Sequence, residues 1–333
     1  MTTLDEQLKS TQKKVNALID QILSAEGRPK VLYKASRHLI EAGGKRLRPF
    51  VALKACELVG GNEEDALPAA TAVELLHSFT LVHDDVMDRS KMRRGVPTVH
   101  VLYGIPMAVN AGDLIFARVY DAILDHTNRT HVSSERILRV LSIITQATIS
   151  VCEGQARDIS FEKRKRVTEA EYFEMVRWKT AALYEAAAKV GAIVGGGTED
   201  QISSLGNFAH NAGVAFQIRD DILGLIGDEA VLKKPVGDDI RQGKQTILVT
   251  YALKHANQMQ RKKILVALSN PKATAKQIQE AIDVIQSLGA VAYANKKAEE
   301  FTENAKTQLS SFPDSPAKTA LLELAELFIT RKY

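Results

Sequence analysis

Leu183-Tyr184-Glu185-Ala186-Ala187-Ala188-Lys189-Val190-Gly191-Ala192-Ile193-Val194 repeats its apolar residues at the helical interval, with Leu183, Ala187, Val190 and Val194 on one face. The stretch 181–197 is too short, and too interrupted by Glu185 and Lys189, to cross a bilayer, so it reads as a buried core helix. It lies inside a long proline-free region between Met107 and Lys234, rich in good helix formers. Ile137, Val140, Leu141 and Ile144 repeat the same spacing upstream. No period-two run and no Asn-Gly or Asp-Gly turn marks a hairpin. The fold class is therefore all-α. Glycine and proline clusters at 27–29, 43–49, 60–62, 95–97, 104–106, 195–197, 227–243 and 270–271 punctuate the helices. Thr168 and Glu171 form a capping box that starts one of them.

The 333 residues are 45% hydrophobic and 25% charged, a globular balance, and no shift in composition divides them. We expect one domain, 1–333. The net charge of +4 comes without a like-charged arm, which argues against nucleic acid as partner. The basic run Lys163–Arg166 reads as a solvated loop. The polar N-terminus lacks a signal-peptide core and no transmembrane segment is expected. Two separated cysteines, Cys56 and Cys152, fit a reducing, cytoplasmic setting, and both are expected in the core.

Chemistry concentrates in two acidic clusters set among apolar residues. In the first, Leu81-Val82-His83-Asp84-Asp85-Val86-Met87-Asp88, helical spacing puts Asp84 and Asp88 on one face and Asp85 about 100° round. The second is Phe216-Gln217-Ile218-Arg219-Asp220-Asp221-Ile222-Leu223. Carboxylates so close repel one another, and shared cations best explain them. Hard oxygen donors select Mg2+, which joins carboxylates to phosphates. Cations flank both clusters: Lys45, Arg46 and Arg48 in a glycine-entered loop, Arg93 and Arg94, then Lys179, Lys234 and Lys244. His77, two turns before Asp84, falls near the same face. Acids that hold Mg2+ among phosphate-binding cations describe a diphosphate site. Walker, dinucleotide-binding, zinc-protease and serine-elbow patterns are all missing.

In this order the motifs resemble the trans-isoprenyl diphosphate synthases, from about Gly43 to Lys244, and most resemble the archaeal geranylgeranyl type. The resemblance implies a helical bundle around a central cavity, a homodimer, and three Mg2+ ions per site. It implies that Lys45, Arg48, His77 and Arg94 hold isopentenyl diphosphate. Asp84, Asp88 and Asp220, with Asp85 and Asp221, would supply the metal ligands on the allylic diphosphate. Arg93, Lys179, Lys234 and Lys244 would neutralise that diphosphate, with Thr180 and Gln217 near the reacting carbons. Phe79, five residues before Asp84, would floor the chain pocket and favour a twenty-carbon product over a fifteen-carbon one. One departure stands out: the second motif commonly ends in a third Asp where this chain has Gly224. Asp220, with Asp221, would then hold the remaining metal, and Gly224 would leave room for water. A class I terpene cyclase, an HD-type phosphohydrolase and a non-catalytic helical partner subunit are the competing readings. The C-terminal Arg331-Lys332-Tyr333 is expected to fray.

Overall fold

The computed structural model describes residues 3–129, 132–162, 164, 166–227 and 237–331. They are helical almost throughout: α1 (Leu4–Ile22), α2 (Lys30–Glu41), α3 (Leu47–Leu58), α4 (Glu63–Met87), α5 (Val99–Tyr103), α6 (Ile105–Arg129), α7 (Ser134–Phe161), α8 (Glu169–Val176), α9 (Ala182–Gly195), α10 (Glu199–Ile226), α11 (Asp238–Gln242), α12 (Ile247–His255), α13 (Gln258–Ala267), α14 (Ala275–Ser287), α15 (Ala290–Thr307) and α16 (Pro316–Thr330). The all-α reading holds, and residues 182–195 form a buried helix. The capping box is present: Glu171 N–H donates to Thr168 Oγ1 and Thr168 N–H to Glu171 Oε2. Arg164 and those Thr168 donors hold the Glu171 carboxyl down at about 2.

One exception to the helices is a two-strand hairpin, β1 (Met92–Arg93) against β2 (Val96–Pro97). Its two turn residues, Arg94 and Gly95, both have positive φ, as a tight hairpin turn requires. The turn escaped the sequence reading because arginine stands where asparagine or aspartate usually signals it. Arg94 is held there by its side chain, which donates to the carbonyls of Leu39 and Gly43.

Chain contacts group into two compact units. The first comprises Met1–Thr148, Leu183–Ala209 and Leu309–Glu323. Its core is filled by Val15 and Ile19 of α1, Phe50 and Leu53 of α3, Leu75 and Leu76 of α4, and Ile115 and Val119 of α6. The second comprises Ile149–Ala182, His210–Gln308 and Leu324–Tyr333. There Val214, Ile218 and Ile222 of α10 pack with Ile247 and Leu248 of α12, Ile278 and Ile282 of α14, and Ala290 and Ala294 of α15. The i, i+4 spacing of each set explains why these segments fold as one-faced helices.

Two expectations about apolar residues are corrected. Cys56 is buried, but Cys152 is exposed on α7. Among the described residues, the helix long and apolar enough to cross a membrane is α7 rather than 181–197, and 33% of its most apolar window is buried.

Candidate active site

In the first unit, α4 ends on the first acidic cluster, with Asp88 as its C-cap. Asp84 and Asp88 are half-buried, while Asp85 is turned fully inward, as the 100° offset implies. Arg93 Nε donates to Asp85 Oδ1 at 2.7 Å, joining the hairpin to α4. Burial pushes the Asp85 carboxyl up, and Arg93 opposes that rise. The pair therefore fixes Arg93 beside the Asp84–Asp88 face. Asp85 serves as its counter-ion, which leaves Asp84 and Asp88 as the more accessible carboxylates.

The cations of the Gly43–Pro49 loop gather beside the other arginine of the hairpin. Arg94 reaches Gly43 through its backbone contact, and a side chain at Gly44 would come 2.9 Å from Arg94 Nη2. Burial, together with Arg46, Arg93 and Arg48, draws the Arg94 guanidinium down to about 10. Burial also pushes His77 well below its usual value, helped by Arg48, Arg94, Arg93 and Arg46. His77 is thus neutral and surrounded by guanidinium groups, an environment that favours an arriving anion. Arg48 stacks on the Tyr184 ring at 4.3 Å, and Lys45 is exposed. Arg48, Arg93 and Arg94 thus lie within electrostatic reach of His77, whereas the sequence grouped Arg48, His77 and Arg94 with Lys45 and set Arg93 with the other diphosphate.

Sequence reasoning grouped Arg46 with the phosphate-facing cations Lys45 and Arg48, but Arg46 is turned inward. It is 2% exposed and starts α3 in a left-handed conformation. Its guanidinium meets Glu74 Oε1 at 3.0 Å, Asn16 Oδ1 at 2.9 Å and the carbonyls of Ile40 and Gly43. This buried hub fixes the junction between the loop that carries Lys45 and the first turn of α3, which carries Arg48. Further along α4, Phe79 packs on Phe116 of α6 at 4.9 Å between ring centres, and Phe116 on Tyr120 at 5.3 Å.

In the second unit, Lys179 and Thr180 lie in a π-helical turn, Arg177–Ala181, between α8 and α9. Such turns recur at functional sites because the extra residue re-aims the side chains around it. Thr180 Oγ1 donates to Gln217 Oε1 at 2.8 Å, and Gln217 Nε2 to Asp221 Oδ1 at 2.9 Å. Tyr172 Oη donates to Asp221 Oδ2 at 2.7 Å. Asp221 is buried, and burial pushes its carboxyl up to about 7, with nearby Asp239 adding to the rise. Both of its oxygens are engaged, so it orients Gln217 and Tyr172.

Asp220 is the more exposed of the pair and meets Arg331 Nη2 at 2.6 Å. Arg331 also stacks on Phe216 at 3.7 Å, and Arg219 donates twice to its carbonyl. Arg331 is therefore anchored rather than frayed; Lys332 and Tyr333 lie outside the described residues.

Lys179 and Lys244 both bind Asp158, at 2.5 and 3.0 Å, and Lys244 also reaches Glu162 at 2.8 Å. Burial alone would raise Asp158, but the two lysines hold it below its usual value. Asp158 and Glu162 were missed in the sequence because neither belongs to an acidic cluster. They keep the two ammonium groups together before any ligand does. Lys234 lies outside the described residues.

Among the described residues, no three acid, histidine or cysteine side chains form a ready-made metal cage. That arrangement fits Mg2+, which usually takes one or two protein carboxylates and leaves the rest of its shell to water and substrate phosphate. Asp84 and Asp88 on one side of α4, and Asp220 on α10, suit such partial ligation.

Residues 29–285 match the Polyprenyl synthetase family. A geranylgeranyl diphosphate synthase of Sulfolobus acidocaldarius is 42% identical, with 100% of each chain covered. A geranylfarnesyl diphosphate synthase of Aeropyrum pernix is 43% identical over 91% of this chain and 95% of its own. The crystal structure of geranylgeranyl pyrophosphate synthetase from Pyrococcus horikoshii superposes with a TM-score of 0.92 at 41% identity, with 98% of both chains covered. Helices, paired acidic clusters and a nest of guanidinium groups are thus accounted for together: the chain belongs to the polyprenyl synthetase family of Mg2+-dependent prenyltransferases.

Proposed function

We propose that this enzyme joins isopentenyl diphosphate head to tail with dimethylallyl, geranyl and farnesyl diphosphates, giving trans-geranylgeranyl diphosphate and releasing diphosphate. The observation that carries this reading is the short hairpin that pairs Arg93 with Asp85 of the first acidic cluster and sets Arg94 on the Gly43 loop, so that phosphate-binding cations stand next to carboxylates. An anion site next to a partial metal site is what two diphosphate substrates require.

Arg48, Arg94 and His77, with Lys45, hold isopentenyl diphosphate. Arg93, Lys179, Lys234 and Lys244 receive the allylic diphosphate, with Asp84, Asp88 and Asp220 as ligands of its metal ions. Bound Mg2+ supplies charge neutralisation for the leaving diphosphate. The lysines add fixed positive charge as the allylic C1–O bond breaks and its electron pair departs with the diphosphate. The isopentenyl double bond, held in place by its own phosphate site, attacks C1 to form the new carbon–carbon bond. A proton then leaves the adjacent carbon for the departing diphosphate. Thr180 and Gln217 line this reaction, with Gln217 held by Asp221. Apolar walls keep water from the cationic carbon.

Phe79, backed by Phe116 and Tyr120, would close the chain pocket at twenty carbons. The test is labelled isopentenyl diphosphate with each allylic primer, followed by product sizing. Wild type is expected to stop at twenty carbons, Phe79→Ala to make longer products, and Asp84→Ala to lose turnover with its fold kept. Unchanged length in Phe79→Ala would remove Phe79 as the floor. Near-normal turnover in Asp84→Ala would remove the metal role of that cluster.

The exposed apolar faces of α6 and α7 support a homodimer. Cys56, buried on α3, and Cys152, exposed on α7, form no disulfide, which supports a reducing, cytoplasmic setting.

A further inference from the structure

Of the chain's 44 basic and 40 acidic residues, eight basic and no acidic ones fall between positions 240 and 279, which leaves the remainder slightly acidic, with 36 against 40. The positive excess is therefore concentrated in one segment of the second unit. That segment forms α12, α13 and the start of α14.

Three of its cations are engaged internally. Arg241 and Arg261 donate to the carbonyls of Ala273 and Leu253, and Lys244 meets Asp158 and Glu162. The other five, Lys254, Lys262, Lys263, Lys272 and Lys276, are exposed, and none forms an ion pair among the described residues. Soluble surfaces usually intersperse both signs of charge, because like charges repel. Here no acid separates the lysines, and an anionic partner would relieve their repulsion.

Apolar side chains stand among them. On α13, Ile264 and Ala267 face the core. Met259, Lys262, Lys263 and Val266 recur at the helical interval on the outward side. Met259 is 73% exposed, Val266 40% and Leu265 37%. A helix face that mixes lysine with large apolar side chains matches a bilayer surface. The apolar groups enter the headgroup layer while the ammonium groups meet lipid phosphates. Nucleic acid fits less well, since phosphate and base recognition favours the planar fork of arginine, and all five unpaired cations are lysines. Arg166, from the basic run 163–166, lines the same recess as Lys254, so that run adjoins the patch.

We propose that α13, with Lys254 on α12 and Lys272 and Lys276 around the start of α14, docks this protein on an anionic lipid surface as a peripheral contact. The contact does not depend on the reaction proposed above, although a product with a long apolar chain gives it a use: release into the bilayer.

The experiment mixes the full chain with vesicles of phosphatidylcholine, alone or with phosphatidylserine, and separates bound protein by flotation. Wild type is expected to float with the anionic vesicles only, and to be released as salt is raised. Lys262→Glu with Lys263→Glu is expected to weaken binding by about twentyfold or more. Met259→Ser with Val266→Ser keeps every charge and is expected to weaken it severalfold. Lys30→Glu with Lys34→Glu, exposed on α2, makes the same change in net charge and is expected to bind as wild type. Circular dichroism and melting confirm that each variant is folded. A DNA duplex, followed by fluorescence anisotropy, probes the other polyanion.

Wild type that ignores the anionic vesicles overturns the proposal, as does equal loss in the α2 and α13 lysine variants, which would reduce the effect to net charge. Full binding by the Met259→Ser, Val266→Ser variant overturns the insertion of α13. Binding to the duplex without binding to vesicles gives the patch to nucleic acid instead.

Discussion

Arg46 and Glu74 form a buried ion pair at 3.0 Å, with both side chains almost fully enclosed. Replacing such a pair by apolar residues is often harmless, but removing one partner strands the other charge, at a cost of about 3–5 kcal/mol. Glu74→Ala is therefore expected to lower the melting temperature strongly. Arg46 also donates to the Gly43 carbonyl, so the stranded guanidinium should disturb the loop that bears Lys45 and the first turn of α3, which bears Arg48. The expected kinetic result is a raised KM for isopentenyl diphosphate, with the KM for the allylic substrate less affected. Calorimetry and initial rates check both. Equal rises in the two KM values would mean that the pair supports the fold without shaping this loop. The same scale shows what single residue types convey. The inward turn of Asp85 was legible, because helical geometry fixed its offset from Asp84. The roles of Arg46 and Asp158 were not, because each depends on partners distant in sequence. Cys152 shows the opposite error: cysteine favours interiors on average, but its place on α7 is exposed.

At the scale of elements, helices were legible wherever apolar periodicity was strong, as in α9, or where a capping box announced a start, as before α8. The hairpin was not, since Arg94 adopts its positive φ only with the help of carbonyls from α2 and the following loop. The end of α16 was also misjudged. Chain termini fray when nothing holds them, but Arg331 meets Asp220, the Phe216 carbonyl and the Phe216 ring. Its own carbonyl is gripped by Arg219. Arg331→Ala is expected to speed hydrogen exchange at residues 328–331 severalfold. Global stability should change little, because an ion pair to a half-exposed carboxylate contributes about 0–1 kcal/mol. Hydrogen exchange read by mass spectrometry checks this. Unchanged exchange at those amides would show that Arg219 alone secures the terminus.

For the whole molecule, the open question is what covers α6 and α7. Leu138 is 67% exposed, Ile105 57% and Leu124 55%, all large apolar side chains on these two helices. Single exposed leucines are ordinary on soluble proteins, but several large apolar side chains exposed on two helices point to a contact surface. The apolar window of α7 leaves a membrane and a second copy of the chain as physical candidates. Arg136 and Arg139 lie in the first and second turns of that helix, and both are engaged within the first unit. Arg136 donates to the Val194 carbonyl, and Arg139 pairs with Glu199. A bilayer-spanning α7 would have to give up those contacts within the first unit. A second copy needs only the apolar side chains, and leaves the arginines where they are. We therefore predict that a second copy of the chain, rather than a bilayer, covers these apolar side chains. Leu138→Glu places a charge within that contact, where burial without a partner costs several kcal/mol. The variant is expected to sediment as a monomer of 36.6 kDa at concentrations where wild type sediments as a dimer. Its helical content should be unchanged, since Leu138 contributes little to the core of the first unit. Wild type sedimenting as a monomer, or an unaltered dimer in Leu138→Glu, would place the interface elsewhere.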